Sequence, residues 1–295
     1  MTWHPRTGED RLLETYWRRH DWPLLFREVT VGGAMRWRGS RARRIDGVLV
    51  HPSSDRAAHD GKAFRRALKA GAAWKRAELV EVKQGLSEAV IGQALAGRWL
   101  FEHEVGREHG VGVARNVVLY RHEDPAMRWV VDQLDGVEAE RVEVPAANAC
   151  MKSRQHYEFV GEEVRRMVVD RAQAPGMVVT RVPIGGDDSG VAAWAGSAET
   201  HVRFLRVVGH PTQVVAAFEG RDWLLEHAGG RELEVVVVRR RLMRGPIGVA
   251  LAHALMIEKQ YGVPRPRAAV VCERGDAALE AACEGLGVAV RVVGA

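Results

Sequence analysis

Cysteine is scarce in this chain, and long apolar runs are missing from it. The 295 residues include three cysteines, Cys150, Cys272 and Cys283, which lie far apart. Such widely spaced thiols form neither a disulfide framework nor a paired zinc-binding pattern. No apolar run approaches the ~20 residues of a membrane-spanning helix, and residues 1–14 lack the apolar core of a secretory signal. We therefore expect a cytoplasmic globular protein that is large enough for two ordinary domains.

Lysine is also scarce, because only 6 of the 43 basic residues are lysine. The arginines concentrate at 36–44, 64–76 and 239–244, and the net charge is +5. Arginine binds phosphate in a bidentate manner, so these clusters favour a polyanionic partner such as nucleic acid. A GC-rich genome would also enrich arginine, and the clusters would then be solvated surface. The candidate nucleic-acid contacts of the first cluster are Arg36, Arg38, Arg41, Arg43 and Arg44.

The chain contains an internal repeat, because similar segments recur in the same order at an offset near 153–159 residues. Such a series indicates two copies of one structural unit. We predict domains at 1–147 and 148–295, with the boundary inside 144–154. The matching pairs are 27–40 with 180–197 (Gly-Gly, then Trp-x-Gly-Ser), 44–52 with 204–211 (ending in His-Pro), and 89–106 with 245–262 (Ile-Gly-x-Ala-Leu-Ala).

Each copy alternates apolar strands with helices, a pattern typical of an α/β domain with a central mixed sheet flanked by helices. In the first copy we predict a helix over 8–20, hairpin-like strands over 24–31 and 34–38, and a strand over 44–50. A helix over 61–70, a strand that ends at residue 84 and a long helix over 87–104 follow. A final strand, helix and strand complete the unit.

The two copies differ in their charged residues. Glu28, Asp46, Glu81, Lys83 and Gln93 of the first copy align with Arg181, Leu205, Val237, Arg239 and Val249 of the second. The second copy therefore forms the same strands without any of these carboxylates, so the fold does not require them. Burying an uncompensated carboxylate is costly, and carboxylates that converge at strand ends repel each other unless a cation lies between them.

This polar set suggests a metal site. Oxygen ligands from Asp46, Glu81 and the Val82 carbonyl suit Mg²⁺ or Mn²⁺. Other interpretations remain: Glu81 and Lys83 form a structural ion pair, Asp46 belongs to an Asp-Gly turn, Glu28 pairs with an arginine of 36–44, and Gln93 is a solvated helix residue.

An Asp on one strand, about 35 residues, and then Glu-x-Lys at the end of an apolar strand resembles the PD-(D/E)xK nuclease superfamily. The resemblance implies a restriction-endonuclease-like fold and Mg²⁺- or Mn²⁺-dependent hydrolysis of phosphodiester bonds. It also implies that Asp46 and Glu81 hold the cation, that Lys83 assists the attacking water, and that Glu28 and Gln93 match accessory residues. Two positions depart from the family pattern: Ile45 replaces a proline, and Gly97 replaces an aromatic residue, with Trp99 nearby.

The sequence therefore predicts a metal-dependent endonuclease acting on DNA, with arginines that hold the backbone phosphates. Two alternatives stay open: a non-catalytic nucleic-acid-binding or scaffold protein on a nuclease fold, and a nuclease acting on RNA. The second copy has two possible uses. It replaces a second subunit of a dimer, with arginines 239–241 and 244 on nucleic acid, or it docks another protein; a homodimer of the whole chain is also possible.

Overall fold

Two mixed β-sheets with helices between them form the architecture. The structure is a computed structural model that describes residues 5–20, 24–33, 40–52, 57–144, 203–207, 214–215 and 233–292. Within these ranges the helices are α1 (Gly8–Arg19), α2 (Gly61–Lys69), α3 (Glu88–Phe101), α4 (Pro125–Asp132), α5 (Arg244–Tyr261) and α6 (Ala277–Gly285). A π-helical segment, Glu102–Gly106, and a short turn, Arg107–His109, extend α3. No helix of the described ranges combines the length and hydropathy needed to cross a bilayer.

The first sheet has six strands in the spatial order β3-β1-β2-β4-β5-β6. Strands β1, β2 and β4 are antiparallel neighbours, whereas β4, β5 and β6 run parallel. Helix α3 connects β4 to β5, and α4 connects β5 to β6, as parallel strands require a crossover. The strands are β1 (Leu24–Val31), β2 (Arg43–His51), β3 (Ala57–Asp60), β4 (Arg76–Val82), β5 (Gly112–Tyr120) and β6 (Glu138–Arg141).

Four strands of the second sheet repeat the connectivity of β2, β4, β5 and β6, whereas the fifth, β8, follows its neighbour β7 in the chain and β1 precedes its neighbour β2. The order of the second sheet is β11-β10-β9-β7-β8, in which β7 and β9 are antiparallel while β9, β10 and β11 run parallel. Helices α5 and α6 connect the parallel strands as α3 and α4 do in the first sheet. Within the described residues, the two sheets therefore share this crossover pattern. The strands are β7 (Arg203–Val207), β8 (Val214–Val215), β9 (Leu233–Arg241), β10 (Arg267–Arg274) and β11 (Val288–Val292).

The strand register refines the alignment between the copies. In the first sheet Gly47 pairs with Val80. Because the strands are antiparallel, Asp46 and Glu81 occupy the next opposite positions along them. In the second sheet Arg203 pairs with Val237. With Val237 as the counterpart of Glu81, the counterpart of Asp46 is Arg203 and not Leu205. The alignment on His-Pro was wrong by two residues, but the second copy still lacks a carboxylate at this place.

Helices α3 and α5 cross between the sheets at the glycines of the shared Ile-Gly motif. A Cβ atom on Gly92 would lie 2.4 Å from the Arg244 carbonyl oxygen and from the Gly248 nitrogen. A Cβ atom on Gly248 would lie 2.0 Å from the Glu88 carbonyl oxygen and 2.4 Å from the Gly92 nitrogen. The contact is pseudo-symmetric, because residues 88 and 92 of the first copy align with residues 244 and 248 of the second. Both glycines permit a backbone approach that no other residue would allow.

Apolar packing joins the two sheets. One buried cluster combines Val48 and Leu100 with Val237, Ile247 and other residues of both copies, so the helical layer shares its core with both sheets. On the outer face of the first sheet, α1 packs Leu12, Leu13 and Tyr16 against β4 and β5. Helix α1 begins at a capping box between Thr7 and Asp10, as expected for a polar residue ahead of an apolar stripe.

Most predicted elements of the first copy are present, with boundaries shifted by a few residues. Asp46–Gly47 lies inside strand β2 and not in a turn, so the turn interpretation was wrong. Strand β3 was not predicted, because Ala57–Asp60 has no apolar alternation. The predicted strand over 34–38 and the predicted domain boundary lie outside the described residues.

An ion pair also links the copies. The Asp276 carboxylate, at the N-terminus of α6, accepts hydrogen bonds from the Arg43 guanidinium at 2.6 Å and the Arg41 amide at 3.1 Å. Burial alone would raise the pKa of Asp276, but these hydrogen bonds and the Arg43 charge hold it below its ordinary value of 3.8. Asp276 also caps α6 by accepting a bond from the Leu279 amide.

We expect Asp276→Asn to lower the free energy of unfolding by roughly 2 kcal/mol at pH 7, because the amide keeps the cap but loses the charge-assisted bonds. A depressed folded-state pKa gives stability above the unfolded-state pKa that is lost as pH falls through the folded-state value. The difference between wild type and variant should therefore shrink as the pH falls below about 4. Urea unfolding at several pH values measures it, and a difference that is constant with pH would contradict the expectation.

Candidate active site

Asp46 and Glu81 meet where the ladder between β2 and β4 ends. The last backbone pair is Gly47 with Val80. Beyond this pair, the Asp46 carboxylate accepts a hydrogen bond from the Val82 amide at 2.8 Å. This side-chain bond takes the place of the next backbone bond between the two strands. The Asp46 side chain is 23% exposed and that of Glu81 is 2% exposed. The sequence correctly predicted that these two strands bring the two acids together.

Glu81 is buried on the face of the sheet that α3 and α5 cover. Its Oε1 accepts a hydrogen bond from Arg244 Nη1 at 2.9 Å. Burial, and more weakly the charge of Asp46, raise the pKa of Glu81 to about 8, although Arg244 and Lys83 act to lower it. The pair of adjacent acids is thus unfavourable, and positive charge from the second copy compensates part of that cost.

Gly97 makes room for this arginine. A Cβ atom at Gly97 would lie 3.5 Å from Glu81 Oε1 and 3.6 Å from Arg244 Nη1. A large aromatic ring at this position would occupy the space that the guanidinium fills. Gly97 therefore leaves the space through which Arg244 of the second copy reaches Glu81.

Lys83 lies on the solvent side of the two acids. Its Nζ is 2.8 Å from the Val82 carbonyl oxygen, 3.3 Å from Glu9 Oε2 and 3.7 Å from Asp46 Oδ2. Burial would lower the pKa of Lys83, but Asp46 and Glu9 raise it above its ordinary value. The ammonium group is therefore charged at neutral pH and stands beside the oxygens proposed as metal ligands.

Of the other residues that the sequence grouped with the site, Glu28 bonds outside this cluster and Gln93 lies beside it. Glu28 adopts a left-handed backbone conformation with φ 55, and its half-exposed carboxylate pairs with Arg44 at 3.2 Å. Pairing with an arginine of 36–44 was the alternative interpretation of Glu28, and it is confirmed. Gln93 lies one turn before Gly97 on α3 and lines a cleft beside Arg244.

The candidate phosphate-binding arginines separate into three groups. Arg41 and Arg43 line the same cleft as Gln93. Arg44 is exposed and pairs with Glu28. Arg36 and Arg38 lie outside the described residues. Of the other arginines considered, Arg65 is engaged with Glu104 and with the Thr30 carbonyl, and Arg240 pairs with Glu273.

Sequence reasoning missed Glu9 and Arg244 as members of the cluster. Glu9 lies 74 residues before Lys83, and Arg244 lies 163 residues after Glu81. The repeat offered the one sequence signal for Arg244. Arg244 aligns with Glu88, so the charge at this position is reversed between the copies. Its position became clear only from the helix crossing at Gly92 and Gly248.

The chemistry of the donor set fits a divalent cation. Asp46, Glu81 and the Val82 carbonyl supply hard oxygen atoms, and two adjacent carboxylates favour a cation between them. Arg244 and Lys83 bond to these same oxygens, so a cation would compete with them. Within the described ranges, no group of three or more His, Cys, Asp or Glu side chains is arranged as a metal site.

No family model, curated protein or solved structure matches this chain. Functional conclusions therefore depend on the geometry of the cluster and on the differences between the two copies.

Proposed function

We propose that this protein is a metal-dependent endonuclease that hydrolyses phosphodiester bonds of DNA, on a restriction-endonuclease-like scaffold that is duplicated along the chain. One observation carries the proposal. Asp46, Glu81 and Lys83 converge from two neighbouring strands, while the same place in the second sheet holds Arg203 and Val237. The second sheet forms without these charged residues, so the fold does not require them. Charged residues that the fold does not require are typical of functional sites.

In this proposal Asp46, Glu81 and the Val82 carbonyl hold Mg²⁺ or Mn²⁺. The cation would lower the pKa of the attacking water and neutralise charge that develops on the phosphate. Lys83, held between Glu9 and Asp46, donates hydrogen bonds to the phosphate oxygens. A cation held by Glu81 would supply compensating charge to a carboxylate that Arg244 also bonds, at 2.9 Å.

The Arg244–Glu81 ion pair also favours a second candidate, a non-catalytic nucleic-acid-binding protein. In that case the guanidinium permanently supplies the positive charge that the buried carboxylate requires, and no metal binds. The two candidates differ in metal affinity. Isothermal titration with Mn²⁺ should give a binding heat that Asp46→Asn weakens if the cluster is a metal site, and no such heat if it is not.

Cleavage assays test the proposal directly. Supercoiled plasmid DNA, single-stranded DNA and RNA would be incubated with the protein and Mg²⁺, Mn²⁺ or EDTA. We expect metal-dependent nicking of DNA, and Lys83→Ala should lower its rate by roughly 10²-fold because one donor to the developing charge is lost. Lys75→Ala is the matched control, since Lys75 is exposed and lies away from the cluster.

Each outcome has a defined meaning. Metal-dependent cleavage that Lys83→Ala slows and Lys75→Ala does not would support the nuclease. Cleavage of RNA alone would keep the mechanism and change the substrate. Cleavage that persists in EDTA, or that both variants slow equally, would contradict the proposed site.

A further inference from the structure

A cleft of about 610 Å³ opens between the two copies. Its walls come from the segment before β2, the first turns of α3 and α5, and the end of β9. Arg244 lines the cleft and bonds Glu81, while Gln93 lines it one turn before Gly97. The cleft therefore adjoins the acidic cluster.

The lining is strongly cationic. It includes Arg41 and Arg43 from the first copy and Arg239, Arg241 and Arg244 from the second, against a single acid, Glu88. Arg43 pairs with Asp276 and Arg244 pairs with Glu81, whereas the guanidinium groups of Arg41 and Arg241 have no acidic partner among the described residues. The positive charge that remains in the cleft favours an anion.

Backbone dipoles add to this field. The N-terminal residues of both α3 and α5 line the cleft, and the preceding residues, Ser87 and Met243, form no side-chain cap. Helix N-termini favour negative charge because their first amides lack intrahelical partners. The arginines and the two helix N-termini thus both contribute positive electrostatic potential to the cleft.

The size and composition of the lining restrict the ligand. A volume of about 610 Å³ lies in the range of pockets that enclose one small ligand, so it accommodates a few linked nucleotides and not the width of a duplex. No described residue of the lining is aromatic. The arginines of the described lining offer contacts to phosphate.

We propose that the cleft between the two copies binds the phosphodiester backbone of a single-stranded polynucleotide and leads it to Asp46 and Glu81. Arginines of the degenerate copy form one wall of this site and those of the first copy form the other. This inference deepens the proposed function and rests on it for one point, that the bound strand is directed towards Asp46 and Glu81. Binding of the strand in the cleft is measurable without cleavage.

The test compares two double variants that remove equal charge. Arg41→Ala/Arg241→Ala removes one arginine from each wall of the cleft. Arg18→Ala/Arg265→Ala removes two exposed arginines outside it, which pair with Glu14 and Glu258. Fluorescence anisotropy with a labelled 12-nucleotide single-stranded DNA, the matching RNA and the matching duplex would be recorded in EDTA over a range of salt concentrations.

We expect the cleft variant to bind the single strand on the order of 20-fold more weakly, and the control less than about 3-fold more weakly. The slope of log K against log salt should fall in magnitude by about 1.4, which corresponds to two lost phosphate contacts at roughly 0.7 each. Equal losses in both variants, no binding of any strand, or tighter duplex binding through the same arginines would each overturn the proposal. EDTA prevents metal-dependent cleavage, so binding is measured separately from cleavage. If the protein binds the strand through the cleft but cleaves no substrate with Mg²⁺ or Mn²⁺, the proposed nuclease activity is wrong and the proposed binding site stands.

Discussion

Asp46→Asn is expected to lower the rate of metal-dependent cleavage by at least about 10³-fold. The amide removes the negative charge with which Asp46 would hold the cation, and a catalytic cation contributes several kcal/mol to stabilisation of the transition state. The asparagine oxygen can still accept the hydrogen bond from the Val82 amide. The ladder between β2 and β4 should therefore persist, so the loss reports on chemistry and not on folding.

Two controls make this result specific. Binding of the 12-nucleotide strand in EDTA should change by less than about twofold, because Asp46 lies beyond the arginines of the cleft. Urea unfolding of the variant should match wild type within about 1 kcal/mol. Cleavage at the wild-type rate by Asp46→Asn would remove Asp46 from the proposed site and with it the nuclease mechanism.

Gly248→Ala is expected to lower the free energy of unfolding by about 3 kcal/mol or more. The new methyl group would lie 2.0 Å from the Glu88 carbonyl oxygen and 2.4 Å from the Gly92 nitrogen. Both are backbone atoms of α3, so no side-chain rotation relieves the overlap, and the helices must separate. Separation would also withdraw Arg244 from Glu81, because Arg244 begins the same helix.

Chemical denaturation measures this effect, and the chain offers a matched substitution in the same helix. A Cβ atom on Gly245 would lie 3.5 Å from the Ala89 Cβ, an ordinary contact, so Gly245→Ala should be neutral or stabilising within about 1 kcal/mol. Equal stability of the two variants would show that the helices do not pack at the Gly92–Gly248 crossing. Gly92→Ala should reproduce the effect of Gly248→Ala from the other side.

The sequence predicted the scaffold of the first copy well because its signals are local. Thr7 and Asp10 start α1, and the apolar run of 77–82 forms β4. Asp46 and Glu81 were correctly brought together because both lie on apolar strands that pair with each other. Glu28 was misplaced because a left-handed residue at that position redirects its side chain to Arg44, and no sequence pattern announces such a backbone conformation.

Contacts between the copies were beyond sequence reasoning. The placement of Arg244 on Glu81 depends on how two helices cross, and the repeat alone does not specify a crossing. The shared Ile-Gly motif was noticed as evidence of duplication, but its role in backbone contact appears only when both helices are in place. The alignment on His-Pro was displaced by two residues because His51 follows Asp46 by five positions, whereas His210 follows Arg203 by seven.

The crossing of α3 and α5 places both helices in equivalent surroundings. Gly92 meets the backbone at Arg244 and Gly248, and Gly248 meets it at Glu88 and Gly92. This reciprocity is what two identical subunits produce around a twofold axis. Here both helices belong to one chain, so a residue on one side of the crossing need not be repeated on the other. Glu88 and Arg244 illustrate this, because they occupy equivalent places with opposite charge, and it is Arg244 that bonds Glu81.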